Sequence, residues 1–207
     1  MKRRIELDTW KRKEHFEFFS QFDEPYYGVA IKVDCTTLYH TAKAAGHSFY
    51  LAYLHRFLAA INAAEALRTR IIDGQPYIFE RIDVSATVDR PDGTFGFSYI
   101  QYEKDFNTFA EGARKEIERV RNSSLLFPER NSDHVIHFSA LPWIDFTAVS
   151  HARHYAHKDS TPKISMGKMT EAEGRKTMPL SVHVHHALVD GVHLAALLDD
   201  YQKRLNE

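Results

Sequence analysis

Apolar and polar residues alternate along YYGVAIKVD, residues 26 to 34, the period expected of a half-buried β-strand. The period then changes. Residues Thr36 to Ala45 read as a helix that stops at Gly46, and Ser48 is placed to cap a second helix, FYLAYLHRFLAAINAA. So many positions of that segment are apolar that burial on most sides is expected. LRTRIIDGQPYIFE predicts a hairpin turning at Asp73-Gly74, a dipeptide that tolerates the positive φ angles of a tight turn. VSATVDRPDGTFGFSYIQY predicts a second strand pair turning at Pro91-Asp92-Gly93. Phe106 to Arg121 reads as a charged amphipathic helix, HVIHFSALPW as a short strand broken at Pro142, and KISMGKMTEAEGRKTMPLSVHVHH as a long hairpin. At the start of the chain, Asp8 to Phe19 reads as a helix capped by Asp8. At its end, Gly191 to Leu205 forms a closing helix. Strands joined mainly by hairpins, with a few helices between them, indicate a mixed α/β sandwich of sheet and helices.

Composition narrows this picture. The 207 residues contain no repeat, no low-complexity segment and no Pro/Gly/Ser linker. A single domain over residues 1–207 follows, long enough to bury a sizeable core. The formal net charge of −1 carries no signature of nucleic-acid binding. The mixed-sign run KRRIELDTWKRKE reads as a solvated helix face. Cys35 is the only cysteine, so no internal disulfide forms and a reducing compartment is expected. MKRRIELDTW has no apolar signal core, and no run approaches the roughly 20 apolar residues of a membrane span. The expectation is a soluble cytoplasmic protein without a membrane partner.

Candidate chemistry is concentrated in HHALVDG, residues 185 to 191. Along LSVHVHH the side chains alternate, so Leu180, Val182, Val184 and His186 share one face and Ser181, His183 and His185 the other. His186 is thereby expected on the apolar face at a strand end. Burial there disfavours a charged imidazole, and a neutral imidazole is what a general base needs at pH 7. Asp190, four residues on, has three readings: it orients the imidazole, pairs with a cation to hold the turn, or caps the following helix. Gly191 allows tight backbone geometry or close approach of a ligand.

Metal chemistry is the competitor. His183 and His185 share a strand face, as metal ligands often do, and His151, His154 and His157 recur at three-residue spacing in HARHYAHKDS. With one cysteine and no HExxH, the histidine-rich stretch reads as a solvated loop, and no metal is expected.

HHALVDG also resembles the HHxxxDG signature of the chloramphenicol acetyltransferases, a family of CoA-dependent acyltransferases. WKRKEHFEFF, residues 10 to 19, is similar to that family's N-terminal helix signature, and HFSALPWIDF, residues 137 to 146, to its central SAxPW segment. The three stretches occur in the family's order, and the resemblance spans roughly residues 8 to 205. It implies a two-layer sandwich of a mixed, largely antiparallel sheet with helices packed on it. It also implies a homotrimer with active sites at subunit interfaces, acetyl-CoA as co-substrate, and chloramphenicol as the small-molecule acceptor.

The resemblance assigns roles to particular residues. His186 would be the base, and Asp190 would pair with Arg12 rather than with the base. Ser139 would donate to the developing oxyanion. Ser165 falls where the family often has a threonine that holds a water near the same oxygen. Trp143 and Lys168 would meet acetyl-CoA, with Met169 standing where the family often has an aromatic. Phe18, Phe19 and Phe127 would line the acceptor pocket, with Tyr26, Phe97 and Tyr99 nearby. His137 stands where the family commonly has asparagine or another side chain. Two alternatives share this fold: an acyltransferase for another hydroxyl or thiol acceptor, and a non-catalytic CoA- or drug-binding relative.

Overall fold

The computed structural model describes residues 1–127, 132–155 and 159–207. Among them the chain runs β1 (Lys2–Arg4), α1 (Lys13–Phe19), β2 (Tyr26–Asp34), α2 (Thr36–Ala44), α3 (Phe49–Ala63), β3 (Thr69–Ile72), β4 (Gln75–Phe79), β5 (Asp83–Asp89) and β6 (Phe95–Phe97). It continues with α4 (Phe106–Arg121), β7 (Val135–Ala140), β8 (Lys163–Met166), β9 (Thr170–Ala172), β10 (Arg175–His185) and α5 (Gly191–Leu205).

Local chemistry explains most of the boundaries. Ser48 accepts from the Leu51 amide and starts α3, and Asp105 does the same for Thr108 at α4, each satisfying an otherwise orphaned N–H. Asp73 and Gly74 both take positive φ, 50° and 72°, in the β3–β4 turn, as a two-residue hairpin requires. The N-terminus departs from expectation. Asp8 caps no helix: it sits in a single 3₁₀ turn, Leu7–Thr9, and α1 begins only at Lys13. Asp8 instead takes the Lys13 ammonium at 2.7 Å.

The main sheet has the order β2-β10-β8-β7-β5-β6, with β9 alongside β10. β2, β8 and β9 pair antiparallel with β10, and β6 with β5, whereas β5–β7 and β7–β8 are parallel. A mixed, largely antiparallel sheet is thus present. A smaller sheet, β1-β4-β3, stands apart from it.

One face of the main sheet carries Leu180, Val182 and Val184, all fully buried, in one core with Leu54, Phe57, Leu58 and Ile61 of α3 and with Leu197 and Tyr201 of α5. The second face is polar but is also covered. Ser181 is fully buried and His185 only 6% exposed, because part of the chain between β7 and β8 lies over them. Arg153 stacks its guanidinium on the Tyr26 ring, His151 meets His183, and Asp159 binds Tyr26 and Lys163. Among the described residues no helix is long and apolar enough to cross a membrane.

Candidate active site

β10 ends at His185, and His186 is the first residue of the turn into α5. Its amide donates to the Pro25 carbonyl at 2.8 Å, which ties the turn to the segment entering β2. The imidazole lies between two rings. Phe19 of α1 stacks on it at 3.9 Å with planes 3° apart, and Tyr27 of β2 lies 4.4 Å away at 36°. Nδ1 is buried without a hydrogen-bond partner.

Asp190 does not orient this ring. Its Oδ2 accepts from Arg12 Nη1 at 2.5 Å, and the same guanidinium reaches the His186 carbonyl at 3.5 Å. Asp190 is also the N-cap residue of α5, where its amide donates to His193 Nδ1 at 3.2 Å. Burial opposes ionisation of Asp190. The hydrogen bond from Arg12, together with the charges of His193 and Arg12, nevertheless holds the carboxyl below its ordinary range. Arg12 therefore fixes the strand-to-helix turn that presents His186.

Phe18 and Phe19 extend the aromatic surface beside the imidazole, and Phe22 completes it. Phe22 lies 5.1 Å from Phe18 and 5.3 Å from Phe19. Phe18 is 58% exposed and Phe22 45%, so a patch of apolar surface stands open next to His186. Tyr27 and Phe22 escape the sequence reading. The signal for Tyr27 was available: it faces Val184 in the register, so it shares the side of the sheet on which parity places His186. Tyr26 takes the opposite side. Its hydroxyl donates to Asp159 at 2.5 Å, and burial, then the Asp159 charge, pushes its phenol far up.

The other motif residues gather elsewhere. Ser139 on β7 stands beside Ser165 on β8, which stands beside Ser181 on β10, in one row across three strands. Ser139 is half-buried and Ser165 buried. His137 lies two residues along β7 on the same face, opposite Lys163. The turn after β7 is stitched to the end of β8: Leu141 N donates to Met166 O and Lys168 N to Ile144 O, both at 2.8 Å. Gly167 permits this contact, since a Cβ there would meet the Ile144 carbonyl at 2.6 Å. Trp143, 75% exposed, and the exposed Lys168 thus share one end of the sheet. Met169 is half-buried against the core. Phe97 and Phe127 stack at 5.2 Å on the far edge, formed by β6, and Phe127 is 61% exposed. Tyr99 binds the buried Asp83.

A single chain therefore does not bring His186 to Ser139. The Ser139 row crosses β10 at Ser181, five residues before His186 and two strands from Ser139, which separates the two backbones by roughly 20 Å. They also belong to opposite faces: Ser139 shares the face of Ser181, and Tyr27, packed on His186, shares that of Val184.

His151 is half-buried rather than solvated, and burial, then the neighbouring His183 and Lys163, lowers its pKa to about 4. His157 lies outside the described residues. Among those described, no group of three or more histidine, cysteine or acidic side chains could hold a metal ion.

Comparison with known proteins identifies relatives of this chain. A family model described as chloramphenicol acetyltransferase matches residues 2–202. A chloramphenicol acetyltransferase of Proteus mirabilis is 28% identical over 98% of this chain and 94% of its own length. A solved chloramphenicol acetyltransferase superposes with a TM-score of 0.87 at 30% identity, covering 99% of this chain and all of that one. A dihydrolipoamide acetyltransferase of Azotobacter vinelandii shares the fold at 19% identity, with a TM-score of 0.69, covering 94% of this chain and 86% of that one. With both sequence and fold matched over nearly its whole length, the chain belongs to the chloramphenicol acetyltransferase family and is an acyltransferase.

Proposed function

We propose that this chain is an acetyl-CoA-dependent O-acetyltransferase that acetylates a hydroxyl of chloramphenicol, at a site completed by two copies of the chain. The observation that carries the reading is the division of one motif set into two open half-sites. His186 with Phe18, Phe19 and Phe22 stands at the β2 edge; Ser139, Trp143, Lys168, Phe97 and Phe127 stand towards the β6 edge. Apolar patches exposed at both ends suit an interface. Docking one edge onto the other is a head-to-tail contact, which closes into a ring when the rotation permits. The family resemblance implies a ring of three.

In such a site, Nε2 of one copy's His186 takes the proton from the acceptor hydroxyl as its oxygen bonds to the thioester carbonyl carbon. Ser139 of the next copy, seconded by Ser165, donates to the oxygen that becomes negative. A fixed donor there favours the transition state over the ground state, by about 3 kcal/mol in comparable sites. Collapse breaks the carbon–sulfur bond, and the imidazolium returns its proton to the departing CoA thiolate. Trp143 offers an aromatic face to the pantetheine or adenine, and Lys168 an ammonium to a phosphate.

The test is release of free thiol from acetyl-CoA with and without chloramphenicol. His186→Ala should lower kcat by several orders of magnitude, and Ser139→Ala by about 10²-fold. Mixing the two inactive variants as unfolded chains and refolding them together should restore about a quarter of the sites, since base and donor then come from different copies. Absence of any recovery, with the mixed oligomer formed, would place base and donor in one chain and end this reading.

A further inference from the structure

Beside the Arg12–Asp190 ion pair lies a cavity of about 390 Å³, walled by the N-terminal segment, the end of α3 and the start of α5. His186, Phe18, Phe19 and Phe22 do not line it, so it is distinct from the open aromatic patch. Ala64, Ala66 and Ala196 leave the room, and Trp10, Leu67 and Leu188 give it apolar walls. A space of this size takes a one-ring molecule with a short polar arm. The charges around it choose the sign of that arm. Arg12 and His193 line the cavity, but both already engage the Asp190 carboxylate, at 2.5 and 2.7 Å. Glu65 also lines it, is exposed, and makes no ion pair among the described residues. Ala64 and Glu65 directly follow Ala63, the last residue of α3, where a helix presents the negative end of its dipole. Trp10, half-buried against the core, adds an indole, the aromatic ring that attracts cations best.

We propose that this cavity is a second small-molecule site, and that its ligand is a positively charged organic amine carrying one ring. The ring of the ligand would lie among Trp10, Leu67 and Leu188. Its ammonium would meet the Glu65 carboxylate at the end of α3, with the Trp10 indole beside it. An anion of the same shape would meet a carboxylate and the wrong end of a helix dipole, and a neutral molecule would gain from neither. The ligand would touch Arg12 and His193, which hold Asp190, without entering either half of the proposed acetyl-transfer site.

Titration of the full-length chain with phenethylamine tests this, with phenethyl alcohol and 3-phenylpropionate as probes of the same shape. The chain has two tryptophans, so Trp143→Phe leaves Trp10 as the sole indole emitter. Its emission should change saturably with phenethylamine, with a Kd of about 1 mM, about tenfold tighter than for the alcohol or the acid. Glu65→Gln should weaken the amine about fivefold. Ala196→Leu, which fills the room from an exposed position of α5, should abolish binding. Trp10 emission unmoved by the amine would end the proposal. The acid binding as tightly as the amine, or Glu65→Gln without effect, would remove the ammonium's partner and with it the choice of an amine. Binding unaffected by Ala196→Leu would place the amine elsewhere. In thiol release, about 10 mM phenethylamine should leave KM for chloramphenicol unchanged; a KM that rises with the amine would seat it in the acceptor pocket and overturn the second site. The fluorescence arm needs no turnover, so a chain that acetylates nothing would overturn the proposed function while the cavity was still being decided.

Discussion

His185 and His186 are neighbours with opposite surroundings. His186 stands half-buried at the open patch beside α1, whereas His185 is only 6% exposed and accepts from the Ala187 amide through Nδ1. Burial, reinforced by the Arg153 charge, lowers the His185 pKa to about 4. Its unfolded value is near 6.5, so between those values the unfolded chain binds a proton that the folded chain refuses. Stability should therefore fall as pH drops from about 6.5 towards 4, by about 2 kcal/mol between pH 7 and pH 5 from this residue alone. Urea unfolding at the two pH values, compared with His185→Gln, checks this; an equal acid loss in the variant would remove His185 as the cause. The alternation of LSVHVHH was enough to separate the two histidines. It did not show that the polar side of the strand is buried, because the covering segment lies between β7 and β8, remote in sequence.

At the scale of elements, boundaries set by local chemistry were legible: α4 spans Phe106–Arg121 and β2 Tyr26–Asp34, as the patterns predict. The Ser48 cap was legible for the same reason, and Ser48→Ala should cost about 1 kcal/mol in thermal or urea unfolding; a change near zero would show the cap to be dispensable. Pairings across long separations were not legible. No local signal says that β5 lies parallel to β7, or that Lys2–Arg4 forms an edge strand on β4. Gly28 shows how much such pairing adds. Nothing in the local pattern singles it out, and across the register a Cβ there would come within 2.4 Å of the His183 ring. That ring is held by Ser181 and by His151. Gly28→Ala should destabilise the fold by about 1–3 kcal/mol through overpacking, whereas Ala30→Gly on the same strand would act only through backbone entropy. A Gly28→Ala protein as stable as the parent would mean that the histidine pair swings aside freely.

For the whole molecule, three motifs in order were sufficient to indicate the family, while the chain's own residues indicated only a base at a strand end. What no reading of one chain could reveal is that the motifs fold onto opposite faces of a single sheet. The proposed docking of one edge on the other would cover aromatic side chains that a single chain leaves exposed at Phe18, Phe22 and Phe127.

That separation has an arithmetical consequence. Each copy would lend its base to one neighbour and its donor to the other, so a chain lacking both, His186→Ala with Ser139→Ala, would spoil two sites instead of one. Co-refolded in equal amounts with intact chains, it should leave about a quarter of the activity, where independent subunits would leave half. Such a variant is a poison whose potency, followed across mixing ratios, counts how many chains each act of catalysis consults.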